Sequence, residues 1–267
     1  MAPTGPLGEL IAQSAVRARE SALARRELEV IVSSLGAAPS FRAALAGRTV
    51  AVIAELKRSS PSKGVLDATL DAGRRSAEYA AAGAAALSIL TEPSRFAGSL
   101  GDLRDARAAV AEDVPLLRKD FLSDEVQLLE ARAYGASAVL LIARALPPAR
   151  LRTLADAAAA LGLDALIEVR NEHELAEALA VRGAVIGVNN RDLETLQVDL
   201  AVGARLIPLV PGDRIAVYES GVQNADDVRR AAALGADAVL VGSILSAASD
   251  GGAAVGALTG VPRRSRG

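Results

Sequence analysis

Gly235-Ala-Asp-Ala-Val-Leu-Val-Gly-Ser243 is one copy of a phrase that recurs along the chain. Gly83-Ala-Ala-Ala-Leu, Gly135-Ala-Ser-Ala-Val and Gly183-Ala-Val-Ile are its other copies, and each ends a helical stretch and opens an apolar run. Glycine after a helix suits the left-handed position that caps it. Pro211-Gly212-Asp213 and Leu161-Gly162-Leu163-Asp164 punctuate in the same way. Between these marks the apolar runs are Val50–Glu55, Ala86–Leu90, Pro115–Lys119, Ala138–Ile142, Ala165–Val169, Val185–Asn189, Ile215–Glu219 and Ala238–Val241. They are short, and several show no polar alternation, as expected of strands covered on both faces.

Helical patterns fill the gaps: Leu70–Ala82, Leu100–Ala111, Asp124–Tyr134, Pro148–Leu161, Glu172–Val181, Leu200–Leu206 and Ala225–Leu234. Ser123 before Asp124 and Glu125, and Asn224 before Ala-Asp-Asp, are helix start signals. Eight strands alternating with helices predict an α/β fold, a (β/α)8 TIM barrel, over residues 49–260. A doubly wound open sheet seldom needs eight equal units, and no glycine-rich dinucleotide loop follows the first strand. Residues 1–48 read as an N-terminal helical extension, with one helix over Gly8–Leu35 and a short one over Phe41–Leu45. Residues 261–267, with Arg263-Arg264-Ser265-Arg266, read as a disordered basic tail.

Composition narrows the chemistry. Of 267 residues 51% are hydrophobic but only 2% aromatic, so Ala, Val, Leu and Ile must build the core. The net charge of −2 gives no global attraction to nucleic acid or an anionic membrane, so an anionic ligand must be held by local groups. With no cysteine and a single histidine, thiolate nucleophiles, disulfides and multi-histidine metal sites are excluded; carboxylate-only metal binding stays open, although no Asp/Glu cluster has ligand spacing. No run is long enough to span a membrane, and no signal peptide is seen, so a cytoplasmic protein is expected. His173 reads as an ordinary surface residue.

In such barrels the reacting groups sit at the C-terminal strand ends. Those ends carry Glu55 and Lys57, Thr91-Glu92, Lys119-Asp120-Phe121, Arg144, Glu168, Asn189-Asn190-Arg191, Glu219-Ser220-Gly221 and Gly242-Ser243. One such residue is an ordinary solvated cap, and Glu55–Lys57 or Lys119–Glu168 alone would be a rim salt bridge. A ring of charged groups around one mouth points instead to a site. Lys119 and Lys57 are the natural proton donors, on the expectation that neighbouring cations depress their pKa. Glu168, Glu55 and Glu219 are the natural bases or orienters. Gly-Ser turns after strands seven and eight, beside the Ser-Ser-Pro-Ser loop after strand one, suit a phosphate. Phe96 and Phe121, two of only three phenylalanines, follow strand ends and suggest an aromatic pocket.

These residues resemble a known family. Glu55-Leu-Lys-Arg-Ser-Ser-Pro-Ser-Lys-Gly64, Ser88-Ile-Leu-Thr-Glu-Pro-Ser-Arg-Phe-Ala-Gly-Ser-Leu100, Leu117-Arg-Lys-Asp-Phe121, Ile167-Glu-Val169, Gly187-Val-Asn-Asn-Arg-Asp-Leu193, Glu219-Ser-Gly-Val222 and Val241-Gly-Ser243 are similar, in order, to the motifs of indole-3-glycerol phosphate synthase. The likeness runs over nearly the whole chain. It implies a cofactor-free lyase of tryptophan synthesis that closes the indole ring of 1-(2-carboxyphenylamino)-1-deoxyribulose 5-phosphate with loss of carbon dioxide and water. It further implies Lys119 as the acid of ring closure and Glu168 as the base of dehydration. Lys57, held by Glu55, would bind the substrate carboxylate or give the second proton. Asn189, Glu219 and Ser220 would orient the substrate, with Arg191 among the binding residues. Ser60, Gly221, Gly242 and Ser243 would hold the phosphate, and Phe96 and Phe121 would flank the anthranilate ring. Leu56, Ser59 and Tyr218 depart from the common family residues; Leu56 and Tyr218 are expected to face away from the site.

Three rival readings fit the sequence less well. A phosphoribosylanthranilate isomerase commonly uses a Cys/Asp pair, which a chain without cysteine lacks. A Schiff-base aldolase would be trapped by borohydride, and no trapping is expected here. A catalytically inactive phosphate-binding barrel, serving as a binding subunit, would not need acid, base and phosphate positions together. The expected partner is a small anionic phosphate, with no nucleic acid or membrane, and the assembly a monomer or weak homodimer.

Overall fold

The computed structural model describes residues 5–62 and 64–266. Eight parallel strands close into a barrel: β1 (Ala51–Leu56), β2 (Ala86–Leu90), β3 (Leu116–Lys119), β4 (Ala138–Ile142), β5 (Asp164–Val169), β6 (Val185–Asn189), β7 (Ala216–Glu219) and β8 (Ala238–Val241). Each strand pairs with the next in sequence, and β1 closes the ring against β8 through Ala51↔Ala238 to Ala54↔Val241. The eight apolar runs read from the sequence are therefore the eight strands, to within a residue at either end.

Side chains alternate between two cores because neighbouring residues on a strand face opposite ways. Val52, Ala54, Leu56 and Tyr218 point outward into a layer shared with the surrounding helices. Ala51, Ile53, Leu117, Leu140, Leu166, Val185, Val217 and Leu240 point inward and fill the barrel. Leu56 and Tyr218 thus turn away from the mouth, as expected.

The main barrel helices are α4 (Ala72–Ala81), α6 (Leu100–Ala109), α7 (Glu125–Ala133), α8 (Pro148–Ala160), α9 (Glu172–Leu179), α10 (Leu200–Leu206) and α11 (Ala225–Leu234). All of these except α8, which begins after Pro147, start on a side-chain cap. Asn224 accepts from the backbone N–H groups of Asp226 and Asp227, completing a capping box with Asp227. At α7 the cap is Asp124, one residue later than Ser123, with Gln127 closing the box. Short helices that the sequence did not announce follow β2 (α5, Pro93–Phe96) and β8 (α12, Ser243–Ser246, and α13, Gly251–Gly256).

The N-terminal extension is helical but broken. The single helix expected over Gly8–Leu35 is α1 (Gly5–Ser21), a tight turn at Ala22–Ala24, and α2 (Arg25–Ser34). The Ser21 hydroxyl folds back onto the Arg17 carbonyl at 2.9 Å, and the bend lets Leu28 pack on Val126 and Leu129 of α7. α3 (Phe41–Ala44) closes the barrel floor with fully buried Phe41 and Leu45, and the Arg42 backbone N–H donates to Asp164 at the start of β5.

Residues 261–266 correct the expectation of a disordered tail. Val261 accepts from the Val50 backbone, and Arg263 and Arg266 reach the buried Asp237 carboxylate at 2.9 and 2.7 Å. A basic run alone reads as solvated, but Asp237 sits just before β8, buried, and needs cations. Gly267 lies outside the described residues.

Candidate active site

Strand ends β1, β3, β5, β6 and β7 deliver Glu55, Lys119, Glu168, Asn189 and Glu219 to one mouth. Register sets the order: Ile142 lies beside Glu168, Glu168 beside Gly187, and Asn189 beside Glu219. The Lys119 ammonium stands among carboxylates, 3.9 Å from Glu55 and 4.0 Å from Glu168. Lys57, two residues past Glu55, folds back to it at 2.7 Å, so the pair leaves the strand together as the spacing predicts. Ser88 on β2 donates a long hydrogen bond to the other Glu55 oxygen.

Two glycines make the crowding possible. A Cβ on Gly187 would run into Glu219 Oε1, and one on Gly242 would run into Glu55 Oε1. Each glycine leaves its carboxylate room that a side chain would take.

Electrostatics follow from this geometry. Burial would pull the Lys119 ammonium down, but Glu55, Glu168 and Glu219 together hold it above the ordinary lysine value. This corrects the expectation of a lysine depressed by cations, because carboxylates are its dominant neighbours. Burial works to raise Glu55, yet Lys57 and Lys119 outweigh it and keep the carboxyl below its usual value. Glu168 is raised by burial, against the pull of Lys119. Glu219 is pushed up to about 8 by burial and then by Glu168. Its Oε1 is buried and finds no hydrogen-bond partner among the described residues.

A cavity of about 200 Å³ opens over these groups. It is lined by Glu55, Lys57, Lys119, Asn189, Arg191, Glu219, Ser220, Gly221, Gly242, Ser243 and Phe96, eleven of the residues singled out from the sequence. Ser220 takes a left-handed φ of 64°, and its hydroxyl donates to Asn189 Oδ1 at 2.9 Å. Arg191 donates its backbone N–H to the same oxygen at 2.9 Å, so Asn189 braces both neighbours.

Three of the expected residues do not line the cavity. Glu168 lies buried beside Lys119. Phe121 packs behind Phe96, ring centroids 6.4 Å apart. Ser60 sits in a small hairpin, Ser59–Ser60 against Gly64–Val65, with a buried hydroxyl that has no partner among the described residues. Lys63 of that loop lies outside the described residues. Sequence reasoning missed the apolar wall of Leu90, Leu193, Val198, Leu240 and Ile244. Inward alternation along β8 was the available signal for Leu240. His173 is exposed, as expected. Among the described residues no group of three or more His, Cys, Asp or Glu is placed to hold a metal, and no helix is long and apolar enough to cross a membrane.

Residues 10–258 match the family profile described as indole-3-glycerol phosphate synthase. The chain belongs to this family. An indole-3-glycerol phosphate synthase of a Nocardioides species is 48% identical over 247 residues, covering 91% of this chain and 93% of the relative. That of Opitutus terrae is 49% identical over 229 residues, covering 84% and 86%. A 3-hexulose-6-phosphate synthase structure from Salmonella typhimurium superposes with a TM-score of 0.63 at 11% identity, over 78% of this chain and 96% of that one, and shows the shared barrel alone. As in other indole-3-glycerol phosphate synthases by name, the activity is that of a decarboxylating lyase of tryptophan biosynthesis.

Proposed function

We propose that this barrel mouth closes the indole ring of 1-(2-carboxyphenylamino)-1-deoxyribulose 5-phosphate, with Lys119 as the acid. The observation that carries the reading is Lys119, held charged among Glu55, Glu168 and Glu219 at the floor of the cavity. Attack of the aryl carbon on the ribulose carbonyl turns that oxygen into an alkoxide. A fixed ammonium gives its proton there and stabilises the developing charge. Carbon dioxide then leaves the ring carbon that made the attack, and its bonding pair restores the aromatic ring.

Loss of water completes the indole. Glu168, raised by burial, takes the proton from the ring methylene as the hydroxyl departs. Lys57, oriented by Glu55 at 2.7 Å, is placed either to meet the substrate carboxylate or to protonate the leaving hydroxyl. Ser220, Gly221, Gly242 and Ser243 offer a polar, side-chain-poor bay for the phosphate on the β7–β8 side, with Ser60 contributing if its loop closes in. Phe96, backed by Phe121, lines the aryl side. Arg191, Asn189 and Glu219 orient the chain between these ends.

The enzyme needs no cofactor on this scheme, because each proton movement has a side chain assigned. A cytoplasmic monomer or weak homodimer fits a cysteine-free chain whose site draws on one barrel. Incubation with the substrate should give growing indole fluorescence and a product lighter by carbon dioxide and water. Substrate left unchanged would overturn the proposal and favour the inactive binding barrel.

A further inference from the structure

The site leaves the N-terminal helix without a task. α1 carries Arg17, whose guanidinium lies between two buried carboxylates from different barrel loops. Nη2 donates to Asp120 Oδ1 at 2.7 Å, and Nη1 lies 3.8 Å from Glu92 Oε1. Asp120 follows Lys119 directly, and Glu92 stands two residues past the end of β2. Each carboxylate sets the start of a segment that presents a ring. Glu92 caps α5, accepting from the backbone N–H groups of Ser94, Arg95 and Phe96. Asp120 accepts from the Phe121 backbone N–H and the Thr91 hydroxyl, both at 2.8 Å.

Those two rings are Phe96 and Phe121, which pack on each other beside the cavity. The neighbours of Arg17 on α1 reinforce the same segment. Gln13 accepts from the Ser94 hydroxyl at 2.7 Å, and Glu9 pairs with Arg95 at 2.8 Å. Glu9, Gln13 and Arg17 are four apart, so one helix face runs along α5.

Charge makes Arg17 the decisive member. Arg17 is the only ion-pair partner of Glu92 among the described residues. Asp120 has in addition only Arg118, at 3.5 Å, which serves Glu130 more closely at 2.9 Å. Without Arg17 the buried Glu92 has no cation and the buried Asp120 keeps only the Arg118 it shares with Glu130, and like charges in a poorly solvated site separate or take up protons.

We infer that Arg17 is a positioning residue: the N-terminal helix uses it to lock the β2 and β3 loops together and so hold Phe96 against Phe121 as the aryl wall of the pocket. The structural half stands on the contacts alone; its kinetic consequence rests on the substrate proposed above.

The test is Arg17→Met, which keeps the apolar stem and removes the charge. With three phenylalanines in the chain, ring-proton cross-peaks between Phe96 and Phe121 can be read by NMR on phenylalanine-labelled protein. The parent shows the cross-peak and Arg17→Met loses it. Adding Glu92→Gln to Arg17→Met, which removes one unpaired charge, brings it back and keeps the test open should the single variant fold poorly. In turnover, KM for the aryl ribulose phosphate rises about tenfold while kcat stays within about twofold, as for a binding wall. Inhibition by inorganic phosphate, which reports the far side of the mouth, does not change. A cross-peak intact in Arg17→Met, or a KM and a phosphate inhibition constant that rise together, overturns the inference. A parent without turnover defeats the proposed function instead, and the cross-peak still decides this point.

Discussion

At the scale of single residues, the site works by where it places charge. Lys119 was legible as a strand-end lysine, but its ionisation was not. Sequence order lists lysines and arginines near it, whereas barrel register surrounds it with Glu55, Glu168 and Glu219. Glu219 bears the cost of that crowding. Folding raises it from an ordinary 4.5 to about 8. A raised carboxyl contributes stability that is complete below 4.5 and lost as pH climbs through about 8. Glu219→Gln should therefore gain stability relative to the parent as pH goes from 5 to 9, read as a widening difference in denaturant midpoints. A difference that stays flat with pH would show that Glu219 is ionised throughout. Gly187 bears on the same carboxylate by leaving it space. Gly187→Ala should push Glu219 aside and lower kcat/KM by about 10- to 100-fold with an unchanged far-ultraviolet circular dichroism spectrum. Activity within twofold of the parent would mean that Glu219 does not need this position.

At the scale of elements, the strands and main helices were legible because burial on both faces and helix caps leave marks in the sequence. Asn224 with Asp227 is such a mark, and it became a capping box. What escaped was decided by tertiary contact. The break between α1 and α2 follows from Ser21 and from α7 packing, neither of which has a local signature. α5 is a four-residue helix held by Glu92, too short to show periodicity. The C-terminal strap looked disordered because its partner, Asp237, is distant in sequence. Asp237 also accepts the Ala216 backbone N–H at 2.7 Å, so it ties β7, β8 and the strap at the barrel floor. Asp237→Ala strands two arginines and should cost about 3–5 kcal/mol by denaturant titration. Because the floor lies opposite the mouth, kcat should hold under native conditions. A loss below about 1 kcal/mol would make the strap a surface decoration.

At the scale of the whole molecule, the barrel divides its labour around the mouth. On the proposed function, β1, β3 and β5 bring the reacting charges, β7 and β8 the phosphate bay, and the β2 and β3 loops the aryl wall. The extension covers that wall from outside through α1 and seals the floor through α3. The alternation of strand and helix made the barrel readable, and the strand ends made most of the site readable. The apolar wall of Leu193, Val198 and Ile244 was not, because apolar residues near a mouth carry no distinguishing chemistry. The proposed role of Lys119 is to supply the proton that drives ring closure. It is tested most directly by following carbon dioxide release and indole formation together, from substrate labelled in the carboxyl group, for the parent and Lys119→Ala. One carbon dioxide per indole is expected in the parent, with both reduced by about 10²- to 10⁴-fold in the variant. Undiminished release of carbon dioxide and indole in Lys119→Ala would contradict that role.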